Sequence, residues 1–179
     1  DLLKSRPQDN SIDSVIQAIS DPARGKDLPK MMATAKLITA RIIIGYEKFD
    51  NLETDKGNWC ETLYEKLYIA GARQYDGVMG LGDRLVFVTF NYDRSLERFL
   101  IYRIAKEFEK SEEDVAKDLM AKYKFIHPHG KAGVILDNSD SDYRTYEDNW
   151  QDGESIHKAV KEIKFITETL TPEEEHTFG

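Results

Sequence analysis

The stretch Leu85–Leu100 constrains the fold more than any other part of the chain, because its hydrophobic period changes in the middle. Leu85 to Phe90 is an unbroken apolar, β-branched and aromatic run, which predicts a strand buried on both faces. From Asp93 onward the apolar residues recur at helical spacing, at Leu96, Phe99, Leu100 and Ile104. Asn91 and Asp93 are therefore predicted to lie at the carboxyl end of a strand and the start of a helix. Ligands bind at that position in open α/β sheets, and the first helical turn presents N–H groups there.

The same junction has a purely structural interpretation, which stays open at this point. Asp93 would cap the helix, and Asn91 would hydrogen-bond within the turn. A second stretch, Phe125–Lys131, favours a functional role because it is another short apolar run that ends in polar residues and glycine. Two strand ends of this kind, joined by a helical crossover, would place Asn91, Asp93 and His129 around one crevice.

Strands alternate with helices along the chain, which predicts an α/β fold with a parallel sheet flanked by helices. The predicted strands are Leu85–Phe90, Lys124–His127 and Ile163–Ile166. The predicted helices are Pro29–Phe49, Asn58–Ala70, Asp93–Glu109, Ser111–Ala121 and Ser155–Lys161, with a shorter one from Ser11. The glycines between Gly71 and Asp83 predict a flexible loop, and Asp137–Gly153 predicts a polar one. Residues 1–179 are expected to form a single domain.

Composition limits the partners and the compartment. The formal net charge of −8 disfavours binding to nucleic acid or anionic membranes, and no apolar run is long enough to span a bilayer. The single cysteine, Cys60, excludes an intrachain disulfide and fits a reducing compartment, so a cytoplasmic protein is expected. Because Cys60 lies beside Trp59 in a helical pattern, it is predicted to be a buried structural thiol.

Two short motifs resemble a known family. The run Thr89-Phe90-Asn91-Tyr92-Asp93, followed by Leu96-Glu97, resembles the Thr-x-Asn-x-Asp-x-x-Leu-Glu signature of sirtuins and sirtuin-like proteins. His129-Gly130 resembles their His-Gly motif, and the resemblance extends from Ser11 to Leu170. The Phe-Asn-Tyr-Asp form is closer to the sirtuin-like proteins of prokaryotic anti-phage defence than to protein deacylases. Deacylases commonly carry a cysteine-ligated zinc ribbon, which a chain with one cysteine cannot form.

The resemblance implies a Rossmann-like fold and NAD as the substrate. Asn91 and His129 would be catalytic: Asn91 would position the attacking water or the ribose, and His129 would act as the base. The residues that would bind the nucleotide are Thr89, Phe90, Asn91, Asp93 and Gly130. Among these, Asp93 would lie near the nicotinamide carboxamide.

His127 is the rival of His129 for the role of base. Residues two apart in an extended segment share a face, so the two histidines could also ligate a metal together. A His-x-His pair without a third ligand is a weak metal signal, and no metal is expected. His129 is preferred because Gly130 follows it.

Two elements of the resembling family are not found in the sequence: a glycine-rich phosphate loop at the N-terminal side and a further strand at the C-terminal side. The chain is therefore expected to be an incomplete, internal piece of a sirtuin-like domain. Two function classes remain open. One is an NAD hydrolase that releases nicotinamide and ADP-ribose in a defence context. The other is a non-catalytic module that binds a nucleotide, a second copy of the chain or a defence-system protein.

Overall fold

The computed structural model describes residues 28–48, 59–135, 146 and 153–165. Within them the protein is mixed α/β and mostly helical. The helices are α1 (Leu28–Tyr46), α2 (Trp59–Ala70), α3 (Tyr75–Gly80), α4 (Ser95–Glu107), α5 (Glu112–Lys122) and α6 (Gly153–Glu162), and the strands are β1 (Val86–Val88) and β2 (Lys124–Ile126). The chain divides into two compact units, residues 40–163 and residues 1–39 with 164–179. None of the described helices has the length and apolar character that a membrane span requires.

The strands β1 and β2 pair in parallel, as the strand–helix–strand pattern predicts. Val86 pairs with Lys124 and Val88 with Ile126. The connection between them contains α4 and α5, and Ser111 begins α5 as a side-chain cap, with its Oγ accepting from the Asp114 N–H at 3.1 Å. The parallel strand–helix–strand unit was therefore correctly predicted.

The predicted burial of the first strand on both faces is wrong. Val86, Val88 and Phe90 are 54%, 56% and 67% exposed. Phe87 points to the opposite face, where its ring stacks on that of Phe125 at 5.1 Å between centroids. Successive side chains of a strand alternate between the two faces, and only the Phe87 face packs against the core of the described residues.

The predicted third strand, Ile163–Ile166, is not a strand where the structure describes it. The Ile163 N–H donates to the Ala159 carbonyl at 3.2 Å, which continues the helical hydrogen bonding of α6 by one residue. Ile163 and Phe165 are buried without strand pairing. Burial of a short apolar run therefore does not require a sheet, and periodicity alone does not distinguish the two outcomes. Ile166 lies outside the described residues.

The segment between Gly71 and Asp83, predicted to be a flexible loop, instead forms α3 and a 3₁₀ turn at Leu81–Asp83. Two of its glycines, Gly71 and Gly77, allow close packing. A Cβ on Gly77 would overlap the Gly71 carbonyl, and one on Gly71 would overlap the backbone of Val78. Glycine therefore marks a tight contact here.

A hydrophobic core lies within the larger unit. Helix α4 packs against α2 and α5, and α3 packs against α2 and α5. The predicted apolar face of α4 is confirmed, with Leu96, Phe99, Leu100 and Ile104 all buried. These contacts hold the first turn of α4 at the carboxyl end of β1.

The three- and four-residue spacing of apolar residues predicts an inner face with Ile38, Ile42 and Tyr46 for α1 and one with Trp59, Leu67 and Ile69 for α2, and both predictions are partly wrong. Ile38, Ile42 and Tyr46 of α1 are each more than half exposed, whereas Ala40 and Ile44 are buried. In α2 the buried residues are Cys60, Tyr64 and Leu67, whereas Trp59 and Ile69 are exposed. Both helices carry apolar residues on more than one face, so their sequence pattern does not single out the buried one. The predicted helix from Ser11 and most of the polar loop after Leu136 lie outside the described residues.

Candidate functional site

The two strand ends that the sequence singled out lie side by side. The ladder between β1 and β2 continues with one more bond, from the Thr89 N–H to the Ile126 carbonyl at 3.0 Å. Beyond it the two turns are tied together, because the Ala132 N–H donates to the Tyr92 carbonyl at 2.8 Å. The turn that carries Asn91 and the turn that carries His129 are therefore neighbours at one end of the sheet.

Asn91 and His129 differ in their surroundings. Asn91 is exposed, and its side-chain amide makes no hydrogen bond within the described part of the chain. Its backbone is held instead, since the Asn91 N–H donates to Thr89 Oγ1 at 3.2 Å. The His129 ring lies between two aromatic rings, 5.7 Å from that of Phe90 and 6.4 Å from that of Tyr92. Polar, exposed and aromatic groups thus meet at the strand ends.

Asp93 performs part of the structural role that was left open, although the cap position of α4 is the next residue, Arg94. Asp93 Oδ1 accepts from the Ser95 N–H at 3.1 Å, at the first residue of α4. The preceding N–H, that of Arg94, donates to Glu47 Oε1 at 3.0 Å. The protein's own carboxylates therefore occupy these two N–H groups, which the sequence analysis expected to face a ligand. The Asp93 Oδ2 atom makes no hydrogen bond with the described residues.

Gly130 is required by the geometry of its turn. It has a φ of +76°, which side-chain-bearing residues rarely adopt, and its N–H donates to the His127 carbonyl at 2.9 Å. A Cβ at this position would overlap the carbonyl oxygen of Glu162, the last residue of α6. The His-Gly turn and the end of α6 consequently pack backbone to backbone.

His127 is the buried histidine of the pair. The side chains of His127 and Glu97 are only 4% and 2% exposed, and His127 Nε2 lies 2.8 Å from Glu97 Oε1. The other ring nitrogen, Nδ1, lies 2.9 Å from the Asn91 carbonyl oxygen. The two histidines therefore differ in kind: His127 is engaged on both nitrogens, whereas His129 is held by ring contacts. No cluster of metal-ligating side chains occurs in the described ranges.

Sequence reasoning missed the role of Glu97. A signal for it existed, because Glu97 precedes Ile101 by four residues and Ile104 by seven, which places a carboxylate on the buried face of α4. A buried acidic residue needs a partner. The sequence did not identify His127 as that partner, because the contact crosses from α4 to the end of β2.

A second unpredicted feature is the buried ion pair between Arg94 and Glu47. Both side chains are fully buried, and Arg94 Nη2 lies 2.6 Å from Glu47 Oε2 while Nε lies 3.1 Å from Oε1. Arg94 Nη1 also donates to the Val134 carbonyl. The ring centroid of Tyr146 lies 5.3 Å from the Arg94 guanidinium carbon, and burial raises the pKa of the Tyr146 hydroxyl to about 12. Arg94 thus links the end of α1 to the strand-end turns.

Cys60 is buried, as the sequence predicts. Burial and, to a smaller extent, the negative charge of Asp93 together raise the pKa of its thiol to about 11. Because the thiolate is the nucleophilic form, a thiol that stays protonated at neutral pH is chemically inert.

Comparison of the chain with protein-family models, with curated proteins and with solved structures found no match to any of them.

Proposed function

We propose that this chain is a sirtuin-like NAD-binding domain that hydrolyses NAD to nicotinamide and ADP-ribose in a prokaryotic defence context. The observation that supports it most is the adjacency of the Asn91 turn and the His129-Gly130 turn at the carboxyl ends of paired parallel strands. On this proposal β1 and β2 belong to a larger Rossmann-like parallel sheet, of which the chain is an internal piece. Ligand sites in such sheets are built where these strand ends meet.

The proposed chemistry breaks the bond between the ribose and the nicotinamide nitrogen, and positive charge develops on the ribose as it breaks. Asn91 positions the attacking water or the ribose through its exposed amide, which can both donate and accept hydrogen bonds. His129 takes up the proton of the attacking water or of a ribose hydroxyl. Asp93 accepts from the nicotinamide carboxamide through Oδ2, since its Oδ1 is held by Ser95.

The aromatic residues of the site have a role in the same proposal. Phe90 is two-thirds exposed, and its ring lies beside that of His129. An exposed aromatic face at a nucleotide site gives a planar ring a surface to stack on and keeps water from the reacting bond. Thr89 contributes indirectly, because its hydroxyl accepts from the Asn91 N–H and supports the turn.

The test is nicotinamide release from NAD by the native protein, including whatever sequence flanks these residues. We expect Asn91→Ala and His129→Ala each to lower turnover by about 100- to 10,000-fold, the usual range for positioning and acid–base groups. The matched control is His157→Ala, which removes an exposed histidine of α6 and should leave turnover unchanged. Retention of wild-type turnover by both site variants would show that the site is misassigned.

A non-catalytic module is the second candidate, and the exposed apolar face of β1 favours it. Val86, Val88 and Phe90 expose more than half of their surface on one side of the sheet, where a partner could cover them. If the protein binds NAD but releases no nicotinamide, this alternative replaces the hydrolase. Val88→Glu would then weaken self-association or partner binding, measured by light scattering or co-purification, without altering NAD affinity.

A further inference from the structure

The buried pair of His127 and Glu97 is the strongest feature of the described residues that the proposed mechanism does not use. Both ring nitrogens of His127 face oxygen atoms, Nδ1 the Asn91 carbonyl at 2.9 Å and Nε2 the Glu97 carboxyl at 2.8 Å. A carbonyl oxygen can only accept a hydrogen bond, so Nδ1 carries a proton and donates it to Asn91. A second proton lies between Nε2 and Oε1, because two bare acceptors would repel each other at that distance.

In this arrangement each ring nitrogen of His127 takes part in a hydrogen bond. Glu97 sits on the buried face of α4, next to the core residues Leu100 and Ile101, and is fixed by that helix. Its Oε2 is buried and has no hydrogen-bond partner among the described residues, where His127 is the side chain that holds the carboxyl group in place. The rotamer of His127 follows from Glu97, and the Nδ1–H then points to the Asn91 carbonyl.

Asn91 needs such support because its own side chain provides none. The residue is exposed, and two main-chain bonds hold it: its N–H to Thr89 Oγ1 and its carbonyl to His127 Nδ1. The Thr89 bond is local and joins two residues of the same turn. The His127 bond is the one that ties the Asn91 peptide to the second strand end and, through Glu97, to the core.

We propose that His127 and Glu97 are positioning residues for Asn91: the pair holds the Asn91 carbonyl and thereby orients the Asn91 amide in the site. This inference rests on the proposed function as far as catalysis is concerned. His129 keeps the role of base, and His127, whose nitrogens are both engaged, does not touch the substrate. Displacing a catalytic group by about 1 Å can lower a rate by about 100-fold, so a remote support of this kind affects turnover.

Two conservative variants separate the two bonds of His127. In His127→Asn the amide nitrogen takes the place of Nδ1, so the bond to Asn91 is kept and the bond to Glu97 is lost. In His127→Gln the amide nitrogen takes the place of Nε2, so the bond to Glu97 is kept and the bond to Asn91 is lost. Each variant loses one buried hydrogen bond, so a purely structural role predicts similar losses in both.

The expected result is asymmetric. His127→Gln should lower kcat for nicotinamide release by about 100-fold with little change in KM, whereas His127→Asn should lose clearly less, because it keeps the bond to Asn91 and loses only its anchor on Glu97. For Glu97, the polar isostere Glu97→Gln should preserve most of kcat because its amide can donate to Nε2, and Glu97→Ala should not. Equal losses of kcat in His127→Asn and His127→Gln, or in Glu97→Gln and Glu97→Ala, would overturn the inference.

A spectroscopic measurement keeps the inference separate from the proposed function. The Asn91 carbonyl shares a peptide group with the Tyr92 nitrogen, so a hydrogen bond to that carbonyl changes the ¹⁵N chemical shift of the Tyr92 amide. The shift should move in His127→Gln and stay near its wild-type value in His127→Asn. If the wild-type protein released no nicotinamide, the hydrolase proposal would fail. The positioning of Asn91 would then stand on the asymmetric Tyr92 shift and fall if both variants moved it alike.

Discussion

The guanidinium of Arg94 and the carboxylate of Glu47 form a two-point ion pair with no solvent exposure, 2.6 Å apart at the closest atoms. Arg94 directly precedes α4, and Glu47 directly follows α1. Glu47 also accepts from the Arg94 N–H, and Arg94 donates to the Val134 carbonyl. One arginine therefore joins the end of α1, the start of α4 and the segment after the His-Gly turn.

We expect disruption of this ion pair to destabilise the protein strongly. Glu47→Gln or Arg94→Met leaves one buried charge without its partner, which typically costs about 3–5 kcal/mol in the free energy of unfolding. The measurement is urea denaturation followed by circular dichroism. The matched control is Glu112→Gln, which removes one partner of Arg98 in a pair whose glutamate is 46% exposed and should cost less than about 1 kcal/mol. A loss of similar size in Glu47→Gln and Glu112→Gln would contradict the importance given to the buried pair.

The turn at Gly130 should not accept a side chain. Gly130→Ala meets both a positive φ and the carbonyl oxygen of Glu162, so we expect a loss of at least about 2 kcal/mol in the free energy of unfolding. Gly80→Ala is the matched control. Gly80 has a φ of −65° and open space around it, so alanine there should be neutral or stabilising by up to about 1 kcal/mol. Thermal unfolding of both variants tests the difference, and a stable Gly130→Ala protein would show that the turn is built differently.

Two variants of Asp93 separate its role at the start of α4 from a role in NAD binding. Asp93→Ala removes the acceptor for the Ser95 N–H and should cost about 1 kcal/mol of stability. Asp93→Ser keeps a side-chain oxygen at the start of α4 and should restore most of that loss. If Asp93 also contacts the nicotinamide carboxamide, Asp93→Ser will remain weak in NAD binding by calorimetry while its unfolding midpoint recovers. Wild-type stability of Asp93→Ala would show that the bond from the Ser95 N–H to Asp93 does not stabilise the start of α4.

Alkaline pH should destabilise the fold through its buried tyrosines. Burial raises the pKa of Tyr123 to about 12, from an ordinary value of 10, and the Tyr123 hydroxyl donates to the Val78 carbonyl at 2.5 Å. The folded state favours the neutral phenol. The stabilisation that Tyr123 gives is therefore complete below about pH 10 and is lost as the pH rises to about 12. The loss amounts to roughly 2–3 kcal/mol for a shift of this size.

The measurement is urea unfolding at a series of alkaline pH values, with phenolate absorbance recorded in parallel. Tyr123→Phe removes the titrating group, so its stability should depend less steeply on pH than that of the wild type, although it starts lower because Val78 loses a hydrogen bond. An identical pH dependence in both proteins would exclude Tyr123 as the cause.

The local sequence pattern was sufficient to predict part of the fold and part of the candidate site. The change of period in Leu85–Leu100 identified β1, α4 and the turn between them, and the crossover through α5 identified the parallel partner β2. These features depend on residues close together in sequence, or on the restricted ways in which a strand, a helix and a strand connect. The proximity of the Asn91 and His129 turns follows from the same unit.

Several features depended on which elements meet in space. The sequence indicated a buried β1, but the core covers only its Phe87 side. It indicated a third strand at Ile163, but that residue is buried while continuing the hydrogen bonding of α6. Gly77 suggested a flexible loop and proved to be a close contact between α3 and Gly71. In each case the same apolar or glycine pattern is compatible with two different tertiary arrangements.

The sequence alone determined the strand–turn–helix unit, the parallel partner and the place of Asn91 and His129 at the strand ends, because periodicity and turn chemistry act over a few residues. Tertiary structure decided which charges pair. Glu47 and Arg94 are 47 positions apart, and Glu97 and His127 are 30 apart. A buried charge requires a partner but does not specify which one; the partner is decided by how Glu47, the start of α4 and the two strand ends meet in space.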